Sequence, residues 1–124
     1  MKFKMARIGN PWISDEYEID GNLAQQIANE LSEICESQRD NDRINASWDY
    51  NKYVHPLLEK HIKENSDLNS RALVRAIMIK LDEMSNIHDW SDGSNAARRV
   101  VQTYSAYSNP DFLKAKAYHD IHGS

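Results

Sequence analysis

Apolar residues recur at spacings of three and four along most of this chain, and that spacing determines its fold class. The clearest example is the series Leu23, Ile27, Leu31 and Ile34. Side chains three or four residues apart lie on one face of an α-helix, so such a stretch forms a helix with one apolar side. The chain has only 4 Gly and 3 Pro among 124 residues, which is too few for the turns of a many-stranded sandwich or barrel. The sequence therefore predicts an all-α fold.

The spacing predicts five helices, and their bounds are about 22–39, 47–64, 68–88, 95–107 and 110–121. A chain of this length forms one domain, so we expect a compact single-domain bundle. Pro56 lies within the second apolar stripe and predicts a kinked helix. Ser66 with Asp67 is the predicted N-cap of the third helix, and Ser94 is that of the fourth.

The first thirteen residues do not follow the helical spacing. Apolar residues alternate with lysines along Met1–Met5, which is typical of a strand, and Gly9–Pro11 then interrupts the chain. We predict a short extended arm over residues 1–13 that pairs in trans, pairs with a segment not recognised as a strand, or stays mobile. Strand addition to a second copy would make a homo-oligomer. The apolar residues that follow are expected to pack as an extended segment over the helices: Trp12, Ile13, Tyr17 and Ile19.

Composition and motifs exclude several classes of protein. No run of about 18 apolar residues spans a membrane, and no signal peptide is visible, so we expect a cytoplasmic location. Cys35 is the only cysteine, which excludes an intramolecular disulfide and a cysteine-based zinc site. No nucleophile elbow, phosphate-binding loop, dinucleotide fingerprint or zinc-protease motif occurs. We therefore expect a protein that is not an enzyme and has no cofactor and no metal site.

The net charge of -4 hides a strong asymmetry along the chain. Residues 1–13 carry three cations and no acid, whereas residues 14–42 carry nine acids against a single arginine, Arg39. A negative field attracts basic surfaces and repels nucleic-acid phosphate, so direct nucleic-acid binding is not expected. The leading hypothesis is an inhibitor or adaptor that docks a basic protein partner, for example one that handles nucleic acid. Composition also suggests a phage or mobile-element origin. The plainer interpretation is a solvated helix face that keeps the protein soluble.

Acidic and aromatic side chains would form the docking surface. Trp and Tyr have an apolar body with a polar tip and commonly anchor interfaces. The expected docking residues are six acids and three tryptophans: Asp15, Glu16, Glu18, Glu30, Glu33, Glu36, Trp12, Trp48 and Trp90.

Four arginines support an alternative function. Arg71 and Arg75 share one helix face, and Arg98 and Arg99 occupy a first helical turn where the dipole disfavours cations. Guanidinium groups recognise phosphate with paired hydrogen bonds, so a helical protein could capture a phosphorylated small molecule or a nucleotide here. The candidate anion-binding residues are Arg71, Arg75, Arg98, Arg99, Ser94 and Tyr104. In the competing interpretation the first two arginines pair with internal acids and the other two are solvated.

Overall fold

A two-stranded hairpin precedes the helices of this protein. The computed structural model describes residues 1–7, 9–42, 50–85 and 92–107. The elements are β1 (Lys2–Arg7), β2 (Asn10–Glu18), α1 (Gly21–Asp42), α2 (Asn51–Glu64), α3 (Ser70–Met84) and α4 (Gly93–Tyr107). The described part of the chain is therefore mostly helical, as predicted. The strictly all-α prediction is wrong because of the sheet at the N-terminus.

The N-terminal arm folds back on the segment that follows it. β1 pairs antiparallel with β2, from Lys2 opposite Glu18 to Ala6 opposite Ser14. Gly9 lies in the turn with a φ of 82°, a conformation that glycine adopts at little cost. The structure thus selects the second alternative for the arm: β1 pairs with a segment that the sequence predicts to be extended but does not mark as a strand. Pro11 and the acids that follow it interrupt the alternation of apolar and polar residues by which β2 could be recognised as a strand.

The hairpin register is irregular next to the turn. Arg7 lies opposite Asn10, so residues 11–13 have no partner in β1 and bulge from the ladder. Trp12 is 94% exposed and Ile13 is 39% exposed, and the prediction that these two pack over the helices is therefore wrong. The prediction for the next two residues is confirmed, because Tyr17 is half-buried against the core and Ile19 is buried.

The first two helices lie close to their predicted positions. α1 begins at Gly21, where the Asp20 carboxylate accepts a hydrogen bond of 2.9 Å from the backbone of Asn22, and it ends three residues later than predicted. α2 contains Pro56 within its length and ends at Glu64, as predicted. The predicted start of this helix at residue 47 lies outside the described residues.

The third and fourth helices begin at other residues than predicted. Asn69 caps α3 by accepting a 3.0 Å bond from the Ala72 backbone, so the predicted cap at Ser66 with Asp67 is wrong. The backbone turns extended at Ser85, with ψ of 135°, and α3 is therefore shorter than the predicted 68–88. α4 begins at Gly93, which makes Ser94 its second residue instead of its cap. The predicted fifth helix, 110–121, lies outside the described residues.

α1 and α4 are the central helices, because each of them packs against the other three. The core holds branched aliphatic side chains together with alanines that let the helix backbones approach one another. The largest fully buried side chains among the described residues include Ile27, Leu31, Leu58, Leu73, Ile77 and Leu81. No helix in the described ranges is both long enough and apolar enough to cross a membrane.

The start of α4 lies directly against α1. The backbone N–H of Gly93 donates a 2.9 Å hydrogen bond to the Glu36 carboxylate, and the hydroxyls of Ser32 and Ser94 are 2.7 Å apart. A Cβ atom on Gly93 would lie 2.6 Å from the backbone oxygen of Ser32, which is closer than real Cβ atoms come. Only glycine fits here without a shift of one helix.

We predict that Gly93→Ala lowers the free energy of unfolding by about 1–3 kcal/mol, the usual cost of overpacking a tight contact. The matched control is Gly21→Ala, which also changes the first residue of a helix. Its new Cβ would come no closer than 4.0 Å to another group, the nitrogen of Met1. Urea denaturation followed by circular dichroism measures both variants. Equal stability of the two variants would contradict the close contact between α1 and α4.

Candidate functional site

The cations of β1 face the acids of β2. Arg7 binds Asp15 with two hydrogen bonds, Nε to Oδ2 at 3.0 Å and Nη2 to Oδ1 at 2.7 Å. These bonds hold the pKa of Asp15 below its ordinary value and raise the pKa of Arg7. The basic arm and the start of the acidic segment are thus brought together within one hairpin.

The same matching of charge continues along the exposed face of the hairpin. Lys2 lies opposite Glu18, and Lys4 lies opposite Glu16. Residues directly opposite in an antiparallel pair have Cβ atoms about 5 Å apart, so unlike charges at these positions attract. The two predicted docking acids Glu16 and Glu18 therefore lie opposite lysines of β1, although neither forms an ion pair with them.

The acids of α1 do not form one free surface. The Glu30 carboxylate contacts Nε2 of His61 on α2, a side chain that is buried. Glu36 accepts the hydrogen bond from Gly93 at the start of α4. Glu33, which lies between them, is exposed. Two of the three predicted acids of this helix thus contact neighbouring helices.

The predicted tryptophans are described only in part. Trp12 projects from the hairpin bulge and is 94% exposed, more than any other large apolar side chain among the described residues. Trp48 and Trp90 lie outside the described residues. Of the three predicted aromatic anchors, Trp12 alone belongs to the described residues.

The two arginines of α4 have different partners. Nε of Arg98 lies 3.4 Å from Oδ1 of Asp82, near the C-terminal end of α3. Arg99 lies near Cys35, where its charge lowers the pKa of the thiol. Burial outweighs that effect and, together with Glu36, raises the pKa of the Cys35 thiol to about 12, which disfavours the reactive thiolate form.

The start of α4 already binds an anion from the chain itself. Glu36 accepts the backbone N–H of Gly93, and the charge of a carboxylate is favourable at this end of a helix. Ser94 is only 4% exposed, and its hydroxyl bonds Ser32. The side chain of Tyr104 lies outside the described residues. The predicted anion-binding residues of α4 are therefore in contact with other parts of the chain: Ser94 with Ser32, Arg98 with Asp82, and Arg99 with the surroundings of Cys35.

Arg71 and Arg75 line a groove between β1, α3 and α4. The groove has a volume of about 370 Å³. It is open to solvent on one side, and no acid is found among the described residues of its lining. These lining residues are Lys4, Met5, Ala6, Arg71, Val74, Arg75, Met78 and Gln102.

Three cations thus meet at one groove. Arg71 is half-buried, and its Nη2 donates a 2.9 Å hydrogen bond to the backbone oxygen of Ala6, which joins α3 to β1. Arg75 and Lys4 are exposed, and neither forms an ion pair with a described residue. Cations in a concave site raise the local potential and attract anions.

The sequence identifies two of these three cations. The four-residue spacing of Arg71 and Arg75 indicates a basic helix face from the sequence alone. Lys4 is distant in sequence, and only the hairpin brings it to α3. Methionines and a glutamine that line the groove carry no recognisable signal of their own.

The described residues give no further indication of chemistry. No group of three or more His, Cys, Asp or Glu side chains among them could hold a metal ion. No protein-family model matches the chain, and neither a curated protein nor a solved structure matches it. A functional assignment must therefore be derived from the groove and the exposed surfaces themselves.

Proposed function

We propose that this protein is a non-enzymatic binding protein that captures a phosphorylated small molecule or a nucleotide in the groove between β1, α3 and α4. One observation carries the proposal: Lys4, Arg71 and Arg75 line the same groove of about 370 Å³, with no acid among its described lining residues. The volume lies within the range of small-molecule sites, about 300–1,000 Å³.

The arginines suit an anion for two reasons. Like charges four residues apart on a helix repel one another by a few tenths of a kcal/mol, and an anion between Arg71 and Arg75 relieves that repulsion. In addition, the bond from Arg71 to Ala6 holds one guanidinium in place before the ligand arrives, which reduces the entropy lost on binding.

The overall charge argues for a small ligand. A net charge of -4 repels a long polyanion such as DNA or RNA, whereas a single phosphate group responds mainly to the nearest cations. The acids of the hairpin face lysines or Arg7, and Glu30 and Glu36 contact other helices. The groove thus supports anion capture despite the acidic composition.

We predict that a panel of phosphate, pyrophosphate and nucleotides contains compounds that raise the melting temperature of the protein. A ligand at one hundred times its Kd stabilises the folded state by about 2.7 kcal/mol, which corresponds to roughly 10 °C for a domain of this size. Arg75→Gln removes one charge-assisted hydrogen bond and should weaken binding about ten- to hundredfold.

The matched control is Arg98→Gln, which neutralises an arginine that pairs with Asp82 outside the groove. We expect it to retain the affinity of the unmodified protein. Isothermal titration calorimetry on both variants measures the difference. The proposal is rejected if no compound of the panel raises the melting temperature, or if the two variants lose affinity equally.

The exposure of Trp12 favours a second candidate function, an inhibitor or adaptor that docks a basic protein partner. Its side chain is 94% exposed on the hairpin bulge, with Ile13 beside it, and buried tryptophans are among the strongest anchors of interfaces. Glu16 and Glu18 lie further along the same strand, and Glu33 is exposed on α1.

For this candidate we predict that Trp12→Ala abolishes partner recovery while leaving the melting temperature unchanged, because the side chain contributes little to the core. Affinity purification from the native host with quantitative mass spectrometry provides the measurement. Glu33→Lys tests the acidic contribution in the same experiment. Recovery of the same proteins by the original chain and by Trp12→Ala would exclude Trp12 as an anchor.

A further inference from the structure

The floor of the groove is apolar, although its rim is cationic. Met5 and Met78 are each 8% exposed, and Val74 is 1% exposed. All three belong to the hydrophobic core, and all three also line the groove. A site for inorganic phosphate alone has no use for such a floor, because a fully hydrated anion gains nothing from contact with thioether and methyl groups.

We propose that the ligand joins its anionic group to a flat aromatic part, with the anion held by Lys4, Arg71 and Arg75 and the aromatic ring lying against Met5 and Met78. This inference rests on the proposed function, since it assumes that the groove binds an anion. It narrows the ligand to the class of aryl phosphates and nucleoside monophosphates.

The helical spacing of α3 arranges these side chains in a line. Arg71, Arg75 and Met78 are four and three residues apart, so they share one face of the helix. At a rise of about 1.5 Å per residue, Met78 lies about 10 Å along the helix from Arg71 and about 4.5 Å from Arg75. A phosphate at the arginines therefore leaves an attached ring at the level of the methionine.

The wall of the groove that β1 forms also contains one cation and one methionine. Lys4 and Met5 are adjacent on β1, where successive side chains point to opposite faces, and Lys4 is exposed while Met5 is buried. Methionine suits an aromatic ligand because its side chain is flexible and its sulfur interacts favourably with ring edges. Both residues line the groove, Met5 from the buried face of β1 and Lys4 from its exposed face.

Two probes of equal charge separate the anionic part from the aromatic part. Methyl phosphate and phenyl phosphate present the same group to the arginines, and only the second carries a ring. We expect phenyl phosphate to bind at least tenfold more tightly by calorimetry, whereas phenol alone gives no measurable binding at the same concentrations. Equal affinity for methyl phosphate and phenyl phosphate would overturn this inference and leave the proposed function intact. Failure of both phosphates to bind would overturn the proposed function as well.

The four methionine methyl groups report where the ring lies. In protein labelled with ¹³C at the methionine methyls, phenyl phosphate should shift the signals of Met5 and Met78 through the ring current. Met84 is an internal control, because it lies at the far end of α3, where its sulfur accepts a hydrogen bond from Gln25. Methyl phosphate should leave all these signals nearly unchanged. A ring-induced shift of Met84 that exceeds those of Met5 and Met78 would overturn the placement.

A substitution at the floor completes the test. Met78→Gln should remove most of the preference for phenyl phosphate and keep the affinity for methyl phosphate within about twofold. Met78→Leu preserves the apolar volume and should therefore keep most of the preference for phenyl phosphate. This variant removes the sulfur and serves as the second test if Met78→Gln fails to fold. Met84→Gln is the matched control on the same helix. An unchanged preference in a folded Met78→Gln variant would overturn the contact with the ring.

Discussion

The antiparallel pairing of β1 with β2 determines where the charges of this protein act. It brings Arg7 onto Asp15 and sets the lysines of β1 opposite the glutamates of β2, so the three cations of the N-terminal arm face three of the nine acids of residues 14–42. The same pairing orders the strand on which Lys4 lies. Arg71 then joins this strand to α3 through the backbone oxygen of Ala6. Without the hairpin, the groove would lose one wall and one of its three cations.

Internal pairing also explains why charge patterns in the sequence suggested two different functions. The carboxylate of Glu36 binds the start of α4, the end at which Ser94, Arg98 and Arg99 indicated an external anion. The carboxylate of Glu30 contacts the buried His61, whereas the sequence predicts that this acid belongs to a free acidic face. In each case a residue on another helix satisfies the charge, and sequence spacing carries no information about that residue.

The helices could be predicted because they depend on local spacing, as in the series from Leu23 to Ile34. The ends of the helices depend on single capping residues. For α3 the sequence predicts Ser66 with Asp67 as the cap, whereas Asn69, closer to the helix, is the residue that caps it. The strand character of β1 could be predicted from its alternation, but its pairing with β2 could not, because β2 combines Pro11, a three-residue bulge and several acids. For the groove, the four-residue spacing of Arg71 and Arg75 predicts that both arginines lie on one face of α3. Lys4 was not identifiable, since its position depends on contacts between residues distant in sequence.

The most direct test of the account is a titration of the arginine side chains observed by NMR. In ¹⁵N-labelled protein, the Nε–H signals of Arg71 and Arg75 should shift on addition of methyl phosphate and saturate with one common Kd. The signals of Arg98 and Arg99, which lie outside the groove, should remain in place. The account would be contradicted if all four signals moved together without saturation, or if the signals of α4 moved while those of α3 did not.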